Sequence, residues 1–226
     1  MKPIAIIPAR GGSKRIPEKN IRNFRGTPII AYPLIKALES NLFSRVLVST
    51  DDPNIGKVAL QYGAEVSERS ENLADDHTGL MEVMSSEAAR LSELETEICF
   101  ILATALFFTS ADLIHGKKLL GEPGVIFSLP SQSFPAPVER AFTISAHHRT
   151  QMLNPEKYGA RSQDCESAFY DSGQFYWGAA KDWISPPKEF FGLHTATFEL
   201  ENRFCIDIDN LADWDLAERI YPALNQ

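Results

Sequence analysis

A run of β-branched residues near the start of the chain leads directly into a loop rich in glycine and positive charge. Ile4, Ile6 and Ile7 predict a buried strand that ends at Pro8. The paired glycines that follow would let backbone N–H groups approach an anion closely. The loop also carries six side chains that donate hydrogen bonds, four of them cationic: Arg10, Ser13, Lys14, Arg15, Lys19 and Asn20. In a chain of formal net charge −8, this loop indicates a bound polyphosphate.

Two familiar phosphate-binding patterns are absent from the chain. A P-loop requires G-x-x-x-x-G-K-[ST], and a dinucleotide-binding fold requires G-x-G-x-x-G opening directly into a helix. The loop matches neither pattern, and Pro17 would interrupt a helix that began at Gly12. A nicotinamide-dependent dehydrogenase is therefore disfavoured.

Length and composition restrict the class of protein. The 226 residues suffice for one large domain, or for one domain with an insertion. The mild acidity argues against a nucleic-acid partner, and no segment approaches transmembrane length. Met1–Ile7 is too short to be a signal peptide, and Cys99, Cys165 and Cys205 show no C-x-x-C spacing. We therefore expect a cytoplasmic protein that binds neither membrane nor nucleic acid.

The first third of the chain alternates strands with helices. The pattern predicts helices from Pro28 to about Ser40 and from Pro53 to about Tyr62. Further strands are predicted at Val46–Val48 and Ala64–Val66. This order favours a mostly parallel, right-handed sheet in a three-layer α/β/α fold, with ligands bound beyond the carboxyl ends of the strands. The basic loop and Ser49–Asp52 would both lie at that edge.

The alternation continues to about residue 129. It predicts a helix at Gly79–Leu91, a strand at Ile98–Ala103 and a strand at Val125–Leu129. Between the last two strands we predict a helix that is capped by Ser110 and buries one apolar stripe. The predicted stripe consists of Leu113, Ile114 and Leu120.

The pattern breaks between Pro130 and Ser172. So long an irregular stretch inside a compact domain is more often an inserted subdomain than a bare loop. We therefore predict a single domain over residues 1–226, with a segment inserted at about 130–172 that forms a subdomain or an interface arm. The remaining predicted elements are strands at Gln174–Trp177, Thr195–Leu200 and Phe204–Ile208, and a helix from Leu211 to about Tyr221.

Asp207 and Asp209 form a second polar cluster. Residues two apart in a strand project to the same face, so the predicted strand would present both carboxylates together. Such a pair is costly unless a cation neutralises it, and hard oxygen ligands suit Mg²⁺. Acidic residues before a helix that begins at Leu211 would also be favoured by the helix dipole. The pair alone leaves both interpretations open, and the basic loop favours the metal.

Several segments together indicate a family. The basic loop, GGSKRIPEK at residues 11–19, resembles the signature loop of nucleotide-sugar pyrophosphorylases. Nearly end to end, the chain resembles the CMP-acylneuraminate synthetases, cytidylyltransferases that activate nonulosonic acids, and most of all their pseudaminic acid branch. The resembling segments are IPARGGSKRIPEKN (7–20), VSTDD (48–52), YGAEV (62–66), LADDHTG (73–79), NPEKYGARSQD (154–164), YDSGQFYWG (170–178) and DID (207–209). Ala103, where sialic acid enzymes usually carry glutamine, points to the same branch.

This resemblance implies a Mg²⁺-dependent enzyme on a Rossmann-like, nucleotide-diphospho-sugar transferase fold. It would transfer CMP from CTP to a nine-carbon 2-keto sugar acid and release pyrophosphate. It would act as a homodimer in nucleotide-sugar biosynthesis, for example for flagellin glycosylation. The inserted segment would form an arm that reaches the neighbouring subunit's site.

The resemblance also implies roles for individual residues. Those implied to bind the nucleotide are Ala9, Arg10, Gly11, Gly12, Ser13, Lys14, Lys19, Asn20, Arg69, Asp76, Thr78 and Ala103. Those implied to bind the sugar are Arg140, Arg161, Gln163, Asp171, Gln174 and Tyr176. Arg10, Lys19, Asp207 and Asp209 would be catalytic, with the two aspartates holding Mg²⁺ and Lys19 nearest the α-phosphate.

Departures from the family pattern leave alternatives open. Leu106 stands where proline is common, and Glu139 precedes Arg140 where glutamine is usual. The acceptor could instead be a sialic, legionaminic or 3-deoxy-octulosonic acid. A catalytically silent nucleotide-binding protein on the same fold is a further alternative, against which the intact Lys19 and aspartate pair argue.

Overall fold

A central sheet organises the chain, for which a computed structural model describes residues 2–70, 79–200 and 204–224. The strands are β1 (Ile4–Pro8), β2 (Asn23–Phe24), β3 (Thr27–Pro28), β4 (Arg45–Thr50), β5 (Glu65–Glu68), β6 (Glu97–Ile101), β7 (Phe127–Ser133), β8 (Phe142–Ile144), β9 (Thr150–Met152), β10 (Phe169–Asp171), β11 (Phe175–Ala179) and β12 (Thr195–Glu199). The helices are α1 (Ala31–Glu39), α2 (Pro53–Gln61), α3 (Leu80–Ala89), α4 (Ser110–Leu120), α5 (Ala180–Ile184) and α6 (Leu211–Leu224).

The sheet has the order β10-β7-β11-β6-β1-β4-β5, and an eighth strand, β12, lies outside this order and pairs with β7. Strands β6, β1, β4 and β5 are mutually parallel, whereas β11 runs antiparallel to both β6 and β7. The predicted mostly parallel α/β fold is confirmed. Because β11 is reversed, its first residue Phe175 pairs with Ile101 at the end of β6. The turn before β11 therefore lies at the same edge as the ends of β1 and β4.

Side chains alternate between the two faces of the sheet, as the period of two requires. On one face, residues such as Ile7 and Val48 pack against α1, α2 and α4. On the other, Ile6 and Phe100 pack in a cluster with Met84 of α3 and Trp183 of α5. Both faces of the sheet are thus covered by helices, as the three-layer prediction requires.

A third apolar cluster ties the basic loop to the end of the chain. Ile16 of the loop is buried together with Phe107, Ile208 and Trp214 of α6. Residues more than 180 positions apart in sequence are therefore packed together. This cluster brings the basic loop and the aspartate pair to the same place.

Some local predictions are wrong. Residues 204–209 form no strand, and the backbone N–H of Cys205 donates instead to the Gln132 side chain at 2.9 Å. Helix α4 is capped by Thr109 rather than Ser110, because Thr109 and Asp112 exchange hydrogen bonds in a capping box. Ile114 is 52% exposed and does not belong to the buried stripe. Other element bounds differ from the prediction by only a few residues.

The predicted inserted segment, at about residues 130–172, overlaps two strands of the central sheet. Because β7 extends to Ser133 and β10 begins at Phe169, the part that leaves the central sheet comprises residues 134–168. It contains the separate hairpin β8–β9, in which Phe142 pairs with Met152. In the described part of the chain, no helix combines the length and apolar character needed to cross a membrane.

Candidate active site

A cleft of about 340 Å³ lies at the carboxyl edge of the parallel strands. It is lined by many of the predicted nucleotide-binding and catalytic residues: Arg10, Ser13, Lys14, Lys19, Asn20, Arg69, Ala103, Asp207 and Asp209. Arg15, which is absent from the predicted site, lines it as well. Among the described residues, five cations thus face two carboxylates across the cleft. The imbalance suits a ligand with several negative charges.

The start of the basic loop is held by Ser49 of β4 and by Asp51, which follows that strand. Pro8 pairs with Ser49, and the Ala9 N–H donates to the Ser49 carbonyl at 2.9 Å. The Gly11 N–H donates to the Asp51 carboxylate at 3.1 Å. The predicted role of the Gly11 N–H as a donor to phosphate stays a prediction, and a bound phosphate would have to compete with Asp51 for it.

Gly11 has no space for a side chain. A Cβ at this position would lie 2.6 Å from Oδ2 of Asp52. Asp52 caps α2 by accepting from the Asn54 N–H at 2.7 Å, so its carboxylate cannot move without losing the cap. A Cβ on Gly12 would meet no atom within 4 Å. The loop therefore needs glycine at position 11 for close packing against Asp52, whereas position 12 has space for a side chain.

The far end of the basic loop is held by a hydrogen bond to the start of the same loop. Asn20 is 7% exposed, and its side-chain N–H donates to the Arg10 carbonyl at 2.9 Å. This bond closes the loop across its base, next to the buried Ile16. Ala9 is also buried and does not line the cleft, so it supports the loop rather than facing a ligand.

Lys19 links the loop to the aspartate pair. Its Nζ donates to the Ile208 carbonyl at 2.7 Å and lies 3.8 Å from an Asp209 oxygen. Arg15 forms a closer ion pair with the same oxygen, at 2.8 Å. Burial lowers the pKa of Lys19, while the charges of Asp209 and Asp207 raise it.

The aspartates are positioned by the start of α6 instead of by a strand. Asn210 accepts from the Ala212 and Asp213 N–H groups, and Asp213 accepts from those of Asp209 and Asn210. These bonds fix the backbone around the buried Ile208, with an aspartate on either side. Desolvation, followed by the charge of Asp209, raises the pKa of Asp207.

This pair has the chemistry of a magnesium ligand set. Burial and the charge of Asp209 raise the pKa of Asp207, and Mg²⁺ is commonly held by one or two carboxylates plus phosphate oxygens and water. The described residues contain no group of three or more His, Cys, Asp or Glu side chains arranged to hold a metal. The remaining ligands would therefore have to come from substrate and water.

Arg69 contributes a buried cation to the wall of the cleft. It is 8% exposed and lies just after β5. Its Nη2 donates to the Ser49 carbonyl at 2.8 Å and its Nε to the Ser49 hydroxyl at 3.2 Å. Burial lowers its pKa, and the nearby carboxylate of Asp51 opposes this shift.

Two of the predicted sugar-binding residues lie beside the cleft. The Asp171 carboxylate accepts from the Tyr176 hydroxyl at 2.7 Å and from the Gly173 N–H at 2.8 Å. Both Asp171 and Tyr176 line a more apolar cavity of about 260 Å³, which shares Leu80 with the cleft. Burial raises the pKa of each of these two groups. The charge of Asp171 also raises the pKa of Asp207.

The other predicted sugar-binding residues do not line the cleft. Gln174 is 1% exposed, and its amide bonds the Phe107 N–H and the Ser172 carbonyl, so it is a structural residue here. Arg161 pairs with Asp164 at 2.7 Å on the exposed inserted segment, and Arg140 contacts the Ser162 hydroxyl at 3.4 Å. Gln163 lies on the same exposed segment. Asp76 and Thr78 lie outside the described residues.

A mostly parallel sheet with a cationic glycine loop at its carboxyl edge, facing two carboxylates, defines an α/β protein whose cleft has the charge that suits a polyphosphate. A family model described as "Cytidylyltransferase" matches residues 4–105. A pseudaminic acid cytidylyltransferase of Campylobacter jejuni is 35% identical over 226 residues, covering 98% of this chain and 97% of that one. A CMP-N,N'-diacetyllegionaminic acid synthase of Legionella pneumophila is 31% identical over 233 residues, covering 100% and 98%.

The fold has solved counterparts. A CMP:2-keto-3-deoxy-manno-octonic acid synthetase complexed with CTP superposes with a TM-score of 0.73 at 15% identity, covering 99% of each chain. That likeness concerns the fold alone. Together with the sequence relatives, it confirms the predicted family and fold. The chain belongs to the cytidylyltransferase family, whose members are nucleotidyltransferases.

Proposed function

We propose that this chain transfers CMP from CTP to pseudaminic acid and releases pyrophosphate. The observation that carries the proposal is the cleft in which the cationic loop faces Asp207 and Asp209. The nucleotide half of the site would be this cleft. The choice of acceptor follows the end-to-end similarity to pseudaminic acid cytidylyltransferases.

The residues of the cleft suit a reaction that depends on positioning and charge neutralisation. An anomeric hydroxyl must attack the α-phosphorus in line with the leaving pyrophosphate. Arg10, Lys14 and Lys19 would bind the triphosphate, and Lys19 would stabilise negative charge that develops at the α-phosphate. The bond from Lys19 to the Ile208 carbonyl aims its ammonium group before substrate arrives.

Asp207 and Asp209 would hold the Mg²⁺ ion. When bound, this ion would supply Lewis-acid polarisation of phosphate oxygens and lower the pKa of the attacking hydroxyl. Arg15 and Lys19 both lie within ion-pair distance of Asp209 and neutralise its charge. Incoming phosphates would compete for these two cations and so leave the carboxylate available to the metal.

The acceptor would enter from the side of Asp171. A Cβ on Gly173, in the turn after Asp171, would lie only 3.6 Å from the Asp207 side chain. Asp171 and Tyr176 could hold polar groups of the sugar beside the aspartate pair. Arg140, Arg161 and Gln163 would reach an acceptor only across a subunit interface.

The acceptor is tested by measuring pyrophosphate release from CTP with purified pseudaminic, N-acetylneuraminic and legionaminic acids. We expect kcat/KM to be at least about tenfold higher for pseudaminic acid. Preference for another of these acids would show that this acid, and not pseudaminic acid, is the acceptor, and would leave the family assignment unchanged. Absence of release with every nonulosonic acid, in a protein that still binds CTP, would support the silent nucleotide-binding alternative.

We also propose that the product is made in the cytoplasm, where CTP is available, and that it serves a later glycosylation such as that of flagellin. Cys99, Cys165 and Cys205 form no disulfide in the described part of the chain, which is compatible with a reducing compartment.

Gly11→Ala is expected to distort the basic loop, because the new Cβ would overlap the Asp52 carboxylate. We expect the free energy of unfolding to fall by about 1–3 kcal/mol and KM for CTP to rise. Gly12→Ala is the matched control, because a Cβ there meets no neighbour. Thermal unfolding and CTP kinetics of both variants measure the effect. Equal behaviour of the two would contradict the account of the loop.

The inserted segment is expected to form a homodimer. It exposes apolar side chains, among them Phe142, Ile144 and Leu153, and Ile144 is 65% exposed. Light scattering should give twice the subunit mass of 25.2 kDa. Ile144→Asp should shift the protein towards monomer, whereas Leu94→Asp, at a position that is 55% exposed and lies outside the segment, should not. A monomeric wild-type protein at micromolar concentration would refute the dimer.

A further inference from the structure

Arg69 lines the cleft and is held from behind by a network of hydrogen bonds. Its guanidinium contacts Ser49 twice, through Nε at the hydroxyl and Nη2 at the carbonyl. Neither contact with Ser49 involves Nη1. The orientation of the Arg69 fork towards the cleft therefore depends on Ser49.

The Ser49 hydroxyl is itself oriented by a carboxylate. Ser49 donates to Oε1 of Glu87 at 2.8 Å while accepting from Arg69. A hydroxyl has a single hydrogen to donate, so Glu87 determines which lone pairs of Ser49 face Arg69. Glu87 is 3% exposed and projects from α3 to the sheet.

The second oxygen of Glu87 is also occupied. Ser67 of β5 donates to Oε2 at 2.7 Å, and Arg90 approaches Oε1 at 3.5 Å. A carboxylate so deeply buried is costly unless hydrogen bonds and positive charge compensate for its desolvation. Glu87 thus joins α3 to β4 and β5, directly behind Arg69. None of the roles assigned to the cleft explains a charge at this position.

We propose that Glu87 is a positioning residue for nucleotide binding, which acts on CTP through Ser49 and Arg69. The carboxylate holds the Ser49 hydroxyl in the orientation that receives Arg69, and its negative charge favours a cation at the adjacent site. Glu87 does not touch the substrate. This inference rests on the proposed function, because it assumes that the cleft binds CTP.

The proposal predicts a specific pattern of coupling. Glu87→Gln preserves the size of the side chain but removes its charge. The glutamine amide has one oxygen acceptor where the carboxylate has two, so one of the two serine hydroxyls loses its acceptor. We expect the variant's dissociation constant for CTP to rise about tenfold, with kcat changed less than KM. Ser49→Ala, which removes the intermediate hydroxyl, should cause a similar loss.

Direct CTP titration of four proteins tests the mechanism: wild type, Glu87→Gln, Arg69→Met and the double variant. If Glu87 acts through Arg69, Glu87→Gln should change the affinity by less than about twofold once the guanidinium is gone. Titrations extend into the millimolar range so that the weaker variants are measured. Glu82→Gln makes the same charge change on an exposed position of α3 and should leave affinity unchanged.

Ser67→Ala separates positioning from stability. It removes a hydrogen bond to Glu87 that does not lie on the path to Arg69. It should lower the unfolding temperature while keeping CTP affinity within about twofold of wild type. If Glu87→Gln does not fold, Ser49→Ala replaces it in the double-variant test.

The outcomes separate the two hypotheses. A wild-type protein that does not bind CTP would refute the proposed function. A wild-type protein that binds CTP, with Glu87→Gln binding equally well, would refute only the positioning role. An equal loss from Glu87→Gln with and without the Arg69 guanidinium would also refute it, because the effect would then not pass through Arg69.

Discussion

Lys19→Ala is expected to reduce kcat for CMP transfer by about 10²–10³-fold or more. The Lys19 ammonium is held between the Ile208 carbonyl and Asp209, and it lines the cleft with the other loop cations. No other side chain in the described residues makes this pair of contacts. Removal of the ammonium would therefore take away charge stabilisation at the α-phosphate. Steady-state pyrophosphate release with saturating CTP measures the effect.

The fold should survive this change. The Lys19 side chain is partly solvated and belongs to none of the apolar clusters. We expect the unfolding temperature to change by only a few degrees. Lys57→Ala removes a cation from an exposed position of α2 and is the matched control. Turnover by Lys19→Ala at the wild-type rate would remove this residue from the mechanism.

Asp209→Asn is expected to abolish Mg²⁺-dependent turnover while preserving nucleotide binding. Asparagine keeps the size of the side chain and one oxygen acceptor but loses the charge that a divalent cation requires. The variant also leaves Arg15 and Lys19 without their shared carboxylate. The cleft becomes more positive, so affinity for metal-free CTP should be kept or increased. We expect kcat to fall by at least about 10²-fold.

Two measurements separate metal binding from general damage. In the wild-type protein, Mg²⁺ added with CTP should raise the unfolding temperature above the value with CTP alone. This increment should disappear in Asp209→Asn. Asp215→Asn, an exposed carboxylate on α6, should retain it. Full activity of Asp209→Asn would contradict the assignment of Asp209 as a metal ligand.

The sequence predicts the nucleotide half of the cleft well because strand order and loop composition determine it locally. An apolar run followed by glycines and cations can be recognised without tertiary information, and parallel pairing then places Ser49–Asp52 beside the loop. The contact between the Gly11 N–H and Asp51 could not be predicted in the same way. It depends on the path of two loops that are 40 residues apart.

The predicted strand at Phe204–Ile208 failed for an identifiable reason. Ile206 and Ile208 are buried and alternate with Asp207, as strand residues would. Here the alternation arises because an extended segment packs its isoleucines into the third apolar cluster without pairing as a strand. Periodicity reports burial on one side and cannot distinguish these two cases.

Two other errors have different causes. The capping box of α4 could have been read from the sequence, because Asp112 stands three residues after Thr109 and only two after Ser110. The structural role of Gln174 could not have been predicted from the sequence, because its hydrogen-bond partner Phe107 is 67 residues away. The Arg15–Asp209 ion pair joins opposite ends of the chain and likewise requires the fold.

Phosphorus NMR of a reaction containing the protein, CTP, Mg²⁺ and pseudaminic acid tests the central claim most directly. The account predicts that the triphosphate signals are replaced by equal amounts of pyrophosphate and a single phosphodiester, with neither formed when Mg²⁺ or the sugar acid is omitted. Consumption of CTP to CDP and phosphate, or no change in the presence of every nonulosonic acid, would contradict CMP transfer by this cleft.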